Sequence, residues 1–127
     1  MLPNSKLIGF ALTNKPDEAR EFYEKKLGLP FVSDDGFALV FDSGGNMIRI
    51  AKAGKPIDPL QSTVLGWEVP DIEAEVKDLS GKGVTFERYG FVQQNEQGIW
   101  DAPGGARIVW FKDPDGNVLS LSQHPAR

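Results

Sequence analysis

Hydrophobic and polar positions follow two spacings along this chain, and the same order of spacings occurs twice. Alternation with a period of two indicates a strand, whereas apolar residues three and four apart indicate a helix. The first half reads as a strand, a helix and three strands, over residues 7–12, 16–28, 29–32, 37–41 and 47–50. The second half repeats this order over residues 64–69, 71–81, 84–87, 107–111 and 118–122. The chain is therefore predicted to contain two βαβββ units.

The ends of both predicted helices carry recognisable signals. Pro16 suits the first position of a helix, and Gly28 suits its C-terminal end. Asp71 is a good N-cap for the second helix, which Gly81 and the residues after it end. The apolar residues of both helices form one stripe each. Each helix is therefore predicted to pack one face on a sheet.

The two halves can also be aligned directly. Residues 45–50 lie over residues 116–121, and residues 7–12 lie over 64–69, which matches Phe10 with Trp67. Prolines and a glycine mark a linker at about 54–62, between a first unit at about 5–53 and a second at about 63–124. A period of about sixty residues that occurs only twice indicates an internal pseudo-twofold duplication. We therefore expect one domain over residues 1–127.

Composition narrows the classes of function. The chain has 127 residues, 40% of them hydrophobic and 25% charged, as expected for one folded domain. A net charge of −4 without a basic cluster disfavours nucleic acid as a partner. No apolar run is long enough to span a membrane, the N-terminus lacks a secretion signal, and cysteine is absent. A cytoplasmic location is predicted.

Three stretches carry a resemblance to a known family. They are Glu21-Phe22-Tyr23 through Leu27-Gly28-Leu29, Val69-Pro70-Asp71-Ile72, and Trp110 through Asn117. In this order, and with the duplication, they resemble the vicinal oxygen chelate superfamily, which includes glyoxalase I, bleomycin resistance proteins and extradiol dioxygenases. The resemblance implies an α+β fold in which two tandem βαβββ modules form a cup-like mixed eight-stranded sheet with the helices outside. It also implies a homodimer.

Members of that superfamily with metal chemistry carry His, Gln or Glu ligands on the first and last strand of each module. Carried over by position, the four slots here hold Leu7 or Ile8, Arg49, Val64 and Ser120. None of these side chains is a competent ligand for a divalent ion, which prefers carboxylate oxygen or imidazole nitrogen. We therefore predict no metal and no cofactor.

Arg49 is the most informative polar residue of the chain. Strand alternation points it into the cup if Ile48 and Ile50 pack under the helix. A guanidinium there suits a carboxylate, a phosphate or another oxygen-rich ligand. The alternative is an internal ion pair with Glu68, and both interpretations stay open.

Aromatic residues of the second half supply the apolar part of the predicted pocket. Trp100, Trp110 and Tyr89 lie on or beside the closing hairpin and can line it, whereas Trp67 is predicted to lie in the core. The polar run 93–97 is interpreted as a solvated loop, or as a lid whose amides bond a ligand.

Other motif-like stretches have simpler explanations. The residue types at 113–117 are explained by a turn alone. Gly104 and Gly105 are interpreted as part of a hairpin. The single histidine, His124, lies in a terminal tail, so no Ser/His/acid arrangement is expected.

The favoured function is a metal-free binding protein for a small organic molecule, anionic or oxygen-rich, resembling the bleomycin resistance branch. Its polar pocket groups are Arg49, Glu68 and Ser120. One alternative is a metal-dependent lyase, isomerase or dioxygenase with ligands from unexpected positions. Another is a metal-free enzyme in which Glu68 or Asp101 is the base and Arg49 holds an enolate-like intermediate.

Overall fold

The structure is a computed structural model that describes residues 2–126. Its strands are β1 (Ile8–Thr13), β2 (Phe31–Asp34), β3 (Ala38–Ser43), β4 (Asn46–Lys52), β5 (Thr63–Glu68), β6 (Trp100–Asp101), β7 (Arg107–Lys112) and β8 (Val118–Gln123). Its helices are α1 (Pro16–Glu21), which continues as a π-helical stretch (Phe22–Lys26), α2 (Ile72–Gly81) and a 3₁₀ turn (Leu2–Asn4). Within residues 2–126, no helix is both long and apolar enough to cross a membrane.

The eight strands form two four-stranded sheets with the same topology. The first sheet has the order β1-β4-β3-β2, and the second has the order β5-β8-β7-β6. In each sheet the first and last strands of a unit pair in parallel, and the remaining pairs are antiparallel. The predicted α+β fold with two βαβββ units is confirmed, with the eight mixed strands divided into two sheets of four rather than joined in one.

Both helix starts follow the signals in the sequence. Pro16 begins α1, and the Asp71 carboxylate accepts a hydrogen bond from the Ala74 N–H at 3.1 Å at the start of α2. Gly28 ends the first helical segment with φ = +74°, a conformation that favours glycine. Local sequence therefore determines where these helices begin and end.

One hydrophobic core serves both units. We call the face of each sheet that contacts this core its inner face, and the opposite face its outer face. Phe41 and Ile50 fill the inner face of the first sheet, and Phe111 fills that of the second, all fully buried. Phe22 packs on Phe111 with ring centroids 6.3 Å apart, and the adjacent Tyr23 packs on Phe41 at 5.7 Å. The two units thus share one core rather than forming two.

A β-bulge shifts the register of the second unit by one residue. Leu65 pairs with Leu119 after a shift at Val64, whereas Gly9 pairs with Ile48 in the first unit. Since Ile48 and Leu119 are equivalent in the repeat, Gly66 is the counterpart of Phe10. The predicted match of Phe10 with Trp67 is therefore wrong. Phe10 lies on the outer face, while Trp67 packs against the core, as predicted.

The strand predicted at residues 84–87 is wrong. Phe86 forms only an isolated bridge with Phe111 on the edge of β7, and the edge strand of this sheet is the two-residue β6. The reason lies in the following loop, where the Gln94 side chain accepts from the Tyr89 N–H and donates to the Glu87 carbonyl. These backbone groups bond a side chain instead of a neighbouring strand.

The turn at residues 113–117 does more than reverse the chain. The buried Asp113 carboxylate accepts hydrogen bonds from the Tyr23 hydroxyl at 2.7 Å and from the Asn117 amide at 2.8 Å. The Asn117 amide also donates to the Leu12 carbonyl, and the Thr13 hydroxyl donates to Asp115. Turn chemistry alone is thus an incomplete explanation, because this hairpin fastens the second unit to the first.

Candidate functional site

Four aromatic side chains form a continuous series on the second unit. Phe91 stacks on Tyr89 with centroids 5.5 Å apart, and Tyr89 meets Trp110 edge to face at 5.3 Å. Trp110 in turn stacks with Trp100 at 6.0 Å and 26° between the rings. We call Phe91, Tyr89, Trp110 and Trp100 the aromatic ladder. Phe91 is 81% exposed at its open end.

The loop between α2 and β6 holds one end of the ladder. The Gln94 side chain makes three hydrogen bonds to this loop, which include a 2.7 Å bond from its amide to the Gly98 carbonyl. The Asn95 side-chain oxygen accepts from the N–H groups of Gln97 and Ile99, both at 2.9 Å. These amides shape the loop itself, and the Gln94 NH2 group uses both of its donors on loop carbonyls, so Gln94 is not a free donor of a lid.

A hydroxyl group lies next to the ladder. Ser120 on β8 pairs with Trp110 on one side and with Gly66 on the other. A Cβ atom added at Gly66 would lie 2.6 Å from the Ser120 Oγ. The missing side chain at Gly66 therefore leaves room for the Ser120 hydroxyl on the outer face of the second sheet.

Two residues further along β8, the structure forms a contact that the sequence did not predict. His124 Nε2 lies 2.9 Å from the Ser122 Oγ, and Ser122 pairs with Glu68 across β5 and β8. His124 and Glu68 are both exposed. A serine nucleophile requires a base that is held in orientation, so this solvated contact does not by itself constitute a catalytic site.

Arg49 lies on the outer face of the first sheet, opposite the buried Ile48 and Ile50, which is the side that strand alternation predicts. Its Nη2 donates to the Asp35 Oδ2 at 2.7 Å. This hydrogen bond, followed by those from two backbone N–H groups, lowers the pKa of Asp35 to about 2. The predicted ion pair of Arg49 with Glu68 is wrong, because the turn between β2 and β3 brings Asp35 to the guanidinium within the same unit.

The surroundings of Arg49 are apolar. Phe10 and Val40 are its register partners on the neighbouring strands. The exposed apolar side chains on or beside this face are Leu7, Ile8, Phe10, Leu12, Val32 and Met47. A cavity of about 320 Å³ is lined by several of them and by Val40, with Lys6 and Asp42 as its charged lining residues. A second cavity, of about 450 Å³, lies where β1 meets β5.

The structure brings most of the six predicted pocket residues together, but not all. Tyr89 and Trp100 each contact Trp110, and Ser120 adjoins Trp110. Glu68 and Arg49 stand apart from this group: Glu68 lies near the end of β5, and Arg49 belongs to the other sheet. Among residues 2–126, no hydrogen bond, ion pair or ring contact joins Arg49 to the aromatic ladder.

The positions that correspond to metal-ligand slots do not fit a metal ion. Ile8 and Arg49 lie on the outer face of the first sheet, Ser120 lies on that of the second, and Val64 lies at the bulge. Two aliphatic chains, a cation and a hydroxyl offer no set of carboxylate or imidazole donors. In the part of the chain that the structure describes, no three His, Cys, Asp or Glu residues are grouped so that they could hold a metal ion.

Comparison with known proteins identifies the fold. The sequence profile of the Glyoxalase/Bleomycin resistance protein/Dioxygenase superfamily matches residues 10–121. Among solved structures, TnmS3, an antibiotic binding protein from Streptomyces sp. CB03234, is similar with a TM-score of 0.76 and 21% identity, over 98% of this chain and 99% of that one. Lactoylglutathione lyase from Agrobacterium tumefaciens is similar with a TM-score of 0.72 and 17% identity, over 95% and 94%. No curated protein sequence matches the chain significantly. At these identities the structural likeness shows the fold alone.

Proposed function

Because the chain belongs to the Glyoxalase/Bleomycin resistance protein/Dioxygenase superfamily, we propose that it binds a small organic molecule without a metal ion. The observation that carries this proposal is the aromatic ladder beside the Ser120 hydroxyl. Small-molecule sites combine apolar and aromatic walls with a few polar groups that orient the ligand. The antibiotic-binding TnmS3 is an example of the same fold with such a role.

The geometry of the ladder favours a flat ligand. Trp110 and Trp100 present two nearly parallel rings, while Tyr89 and Phe91 form a second, steeply inclined aromatic wall beside Trp110. Offset stacking on such rings contributes about 0.5–1.5 kcal/mol per aromatic pair beyond the area that is buried. A planar molecule with an acceptor or donor near Ser120 would use both features.

We further propose that two copies of the chain form a homodimer. In this dimer, the outer face of the first sheet of one protomer packs against the outer face of the second sheet of the other protomer. The described hydrogen bonds and ring contacts between the two units of one chain come from inner faces and hairpins. Phe10, at 60% exposure, and Leu12, at 50%, remain open on the first outer face. Such a dimer would place Arg49 of one protomer near the ladder of the other. A cytoplasmic location also remains a prediction.

The metal-free part of the proposal is tested on protein purified without a histidine tag. We expect metal content far below one ion per chain, and no rise in Tm with Ni²⁺, Zn²⁺, Mn²⁺ or Fe²⁺. A stoichiometric metal, or a Tm rise of the size that tight binding produces, would favour a metal-dependent lyase, isomerase or dioxygenase instead.

Binding is tested with a library of metabolites and drugs in a thermal shift assay. Hits should raise the Tm of the wild type and lose this effect in Trp110→Ala, whereas the control Leu60→Ala, in the exposed linker, should respond like the wild type. Hits that stabilise Trp110→Ala equally would place the site elsewhere. Chemical turnover of any hit would identify an enzyme and refute a role in binding alone.

The dimer is tested by sedimentation at micromolar concentration. Phe10→Glu places a charge on the proposed interface and should give monomers, while Leu60→Glu, at a similarly exposed position of the linker, should not. A wild-type protein that sediments as a monomer would remove the dimer from the proposal and leave the ladder as a surface site.

A further inference from the structure

The ion pair between Arg49 and Asp35 lies at the edge of an apolar surface, so it can influence which ligands bind there. We propose that the outer face of the first sheet selects amphiphilic organic anions, and that Asp35 is a built-in competitor which the anionic group of the ligand displaces from Arg49. The inference rests on the proposed function, because only the proposed dimer brings Arg49 of one protomer to the aromatic ladder of the other, where the ligand is proposed to bind. It adds the class of ligand and a residue that determines specificity.

The apolar part of this recognition is formed by neighbours of Arg49. Phe10 and Val40 flank it across the sheet, and Met47 places its sulfur 4.0 Å from the guanidinium. Val40 and Met47 also line the cavity of about 320 Å³. A ring system in this cavity would contact Val40 and Met47, and a substituent on it that extends past Met47 would reach the guanidinium. A neutral ligand would use only the apolar part.

The two oxygens of Asp35 have separate roles. The Oδ1 atom accepts from the N–H groups of Phe37 and Ala38, both at 2.9 Å, and so shapes the turn between β2 and β3. The Oδ2 atom accepts from Arg49. A ligand anion can thus replace the Oδ2 contact while the turn keeps its own hydrogen bonds.

The Asp35 carboxylate that competes for Arg49 is always ionised. The guanidinium hydrogen bond holds the pKa of Asp35 at about 2, so the carboxylate is ionised throughout the physiological range. Half-exposed ion pairs contribute little to stability, so this pair can open at small cost. A carboxylate, sulfonate or phosphate on the ligand would regain the charge-assisted contact.

The neighbouring ion pair supplies a matched control. Asp34 accepts two contacts from the Lys52 Nζ, at 2.8 and 2.9 Å, from the same turn. Lys52 is three residues after Arg49 on β4, so strand alternation directs it to the opposite face. Asp34→Asn therefore changes the same net charge in the same turn without releasing Arg49.

The experiment compares two fluorescent probes with nearly the same rings. Anilinonaphthalene sulfonate carries an anion, and phenylnaphthylamine is neutral. In Asp35→Asn, whose side-chain oxygen can still cap the turn, the sulfonate should bind about two- to fivefold more tightly, which is the factor expected for removing an exposed competing ion. The neutral probe should be unchanged. Asp34→Asn should match the wild type for both probes.

Variants of Arg49 test whether its positive charge causes the preference for the sulfonate. Arg49→Gln should abolish the preference for the sulfonate, and Arg49→Lys, which keeps the charge, should retain it. Circular dichroism and Tm of each variant establish that the probes report on folded protein.

Several results would overturn the inference. One is that Asp35→Asn raises the affinity for both probes equally, and another is that Asp34→Asn raises the sulfonate affinity as much as Asp35→Asn does. The inference also fails if Arg49→Gln still prefers the sulfonate, or if no variant binds the sulfonate. If the neutral probe still binds and its binding is lost in Trp110→Ala, the proposed binding function stands and only the anion selectivity fails. If neither probe binds and the library yields no hits, both fail.

Discussion

Removing one buried hydroxyl group tests how the two units are held together. Tyr23 is fully buried, and its hydroxyl donates to the Asp113 carboxylate on the opposite unit at 2.7 Å. Burial, followed by the charge of Asp113, raises the pKa of Tyr23 well above its usual value, so the hydroxyl remains a donor. The variant Tyr23→Phe deletes this donor and leaves the ring in place.

The expected cost follows from what remains around Asp113. Its carboxylate still accepts from the Asn117 amide at 2.8 Å and from the N–H groups of Asp115 and Asn117 at 2.9 and 3.0 Å. The ring also keeps its neighbours, since Phe22 lies 5.2 Å and Phe41 lies 5.7 Å from it between centroids. The loss is therefore one hydrogen bond to a charged group, about 1.5–3 kcal/mol of the free energy of unfolding.

Urea unfolding measures this loss. The midpoint should fall with little change in the slope, because the surface exposed on unfolding is almost the same. Tyr89→Phe is the control, since the described contacts give the Tyr89 hydroxyl no hydrogen bond, and it should change stability by less than about 0.5 kcal/mol. If Tyr23→Phe is as stable as this control, the hairpin does not fasten the units in the way we describe.

The same variant has a defined pH dependence. Burial raises the pKa of Asp113 above its ordinary value of 3.8, and the hydrogen bonds from Asn117 and Tyr23 oppose that increase. The folded state thus holds this proton more tightly than the unfolded chain, and the contribution of Asp113 to stability falls as the pH rises through the folded pKa. Without the Tyr23 hydroxyl that pKa rises further. The cost of Tyr23→Phe should be largest near neutral pH and should decrease on acidification toward 3.8.

Three further predictions concern other parts of the structure. Gly9→Ala would place a Cβ 2.9 Å from the terminal methyl groups of Ile48 and Leu65, one in each unit. Since such side-chain ends can shift, the cost in urea unfolding should be about 1 kcal/mol, the low end for an overpacked site, whereas Gly81→Ala, in open space, should cost nothing. Equal stabilities would contradict a close crossing of β1 and β5. Gln94→Ala removes three hydrogen bonds and should cost about 1–3 kcal/mol, with faster proteolysis within residues 87–98. An unchanged cleavage rate would mean that Gln94 does not hold this loop. Arg49→Ala breaks only a half-exposed ion pair and should lower Tm by at most about 3 °C by calorimetry, and a much larger fall would indicate a structural role.

Local sequence was sufficient for most of the fold. The helix starts at Pro16 and Asp71 were predictable because capping depends on a few adjacent residues. The duplication was visible because both units place apolar residues at the same spacings. Arg49 could be placed on the outer face because strand side chains alternate.

The errors arise where a side chain replaces a backbone partner or where one residue is inserted. Residues 84–87 have the composition of a strand, yet Gln94 takes up backbone groups of the adjoining loop, and one bridge to β7 remains. The bulge at Val64 moves Gly66, not Trp67, opposite Ser120. Neither a hydrogen bond from a side-chain amide within the loop nor a one-residue bulge changes the hydrophobic pattern.

The sequence by itself determined which residue types could form a site, and it disfavoured metal ligands at the four slots. Only the tertiary structure decided which of those residues meet. Asp35 reaches Arg49 because a turn folds back over the sheet, and Tyr23 reaches Asp113 across ninety positions of the chain. The first pair depends on how one turn folds back over its own sheet, and the second depends on how the two units pack. Packing is a property of the whole core rather than of any local stretch of residues.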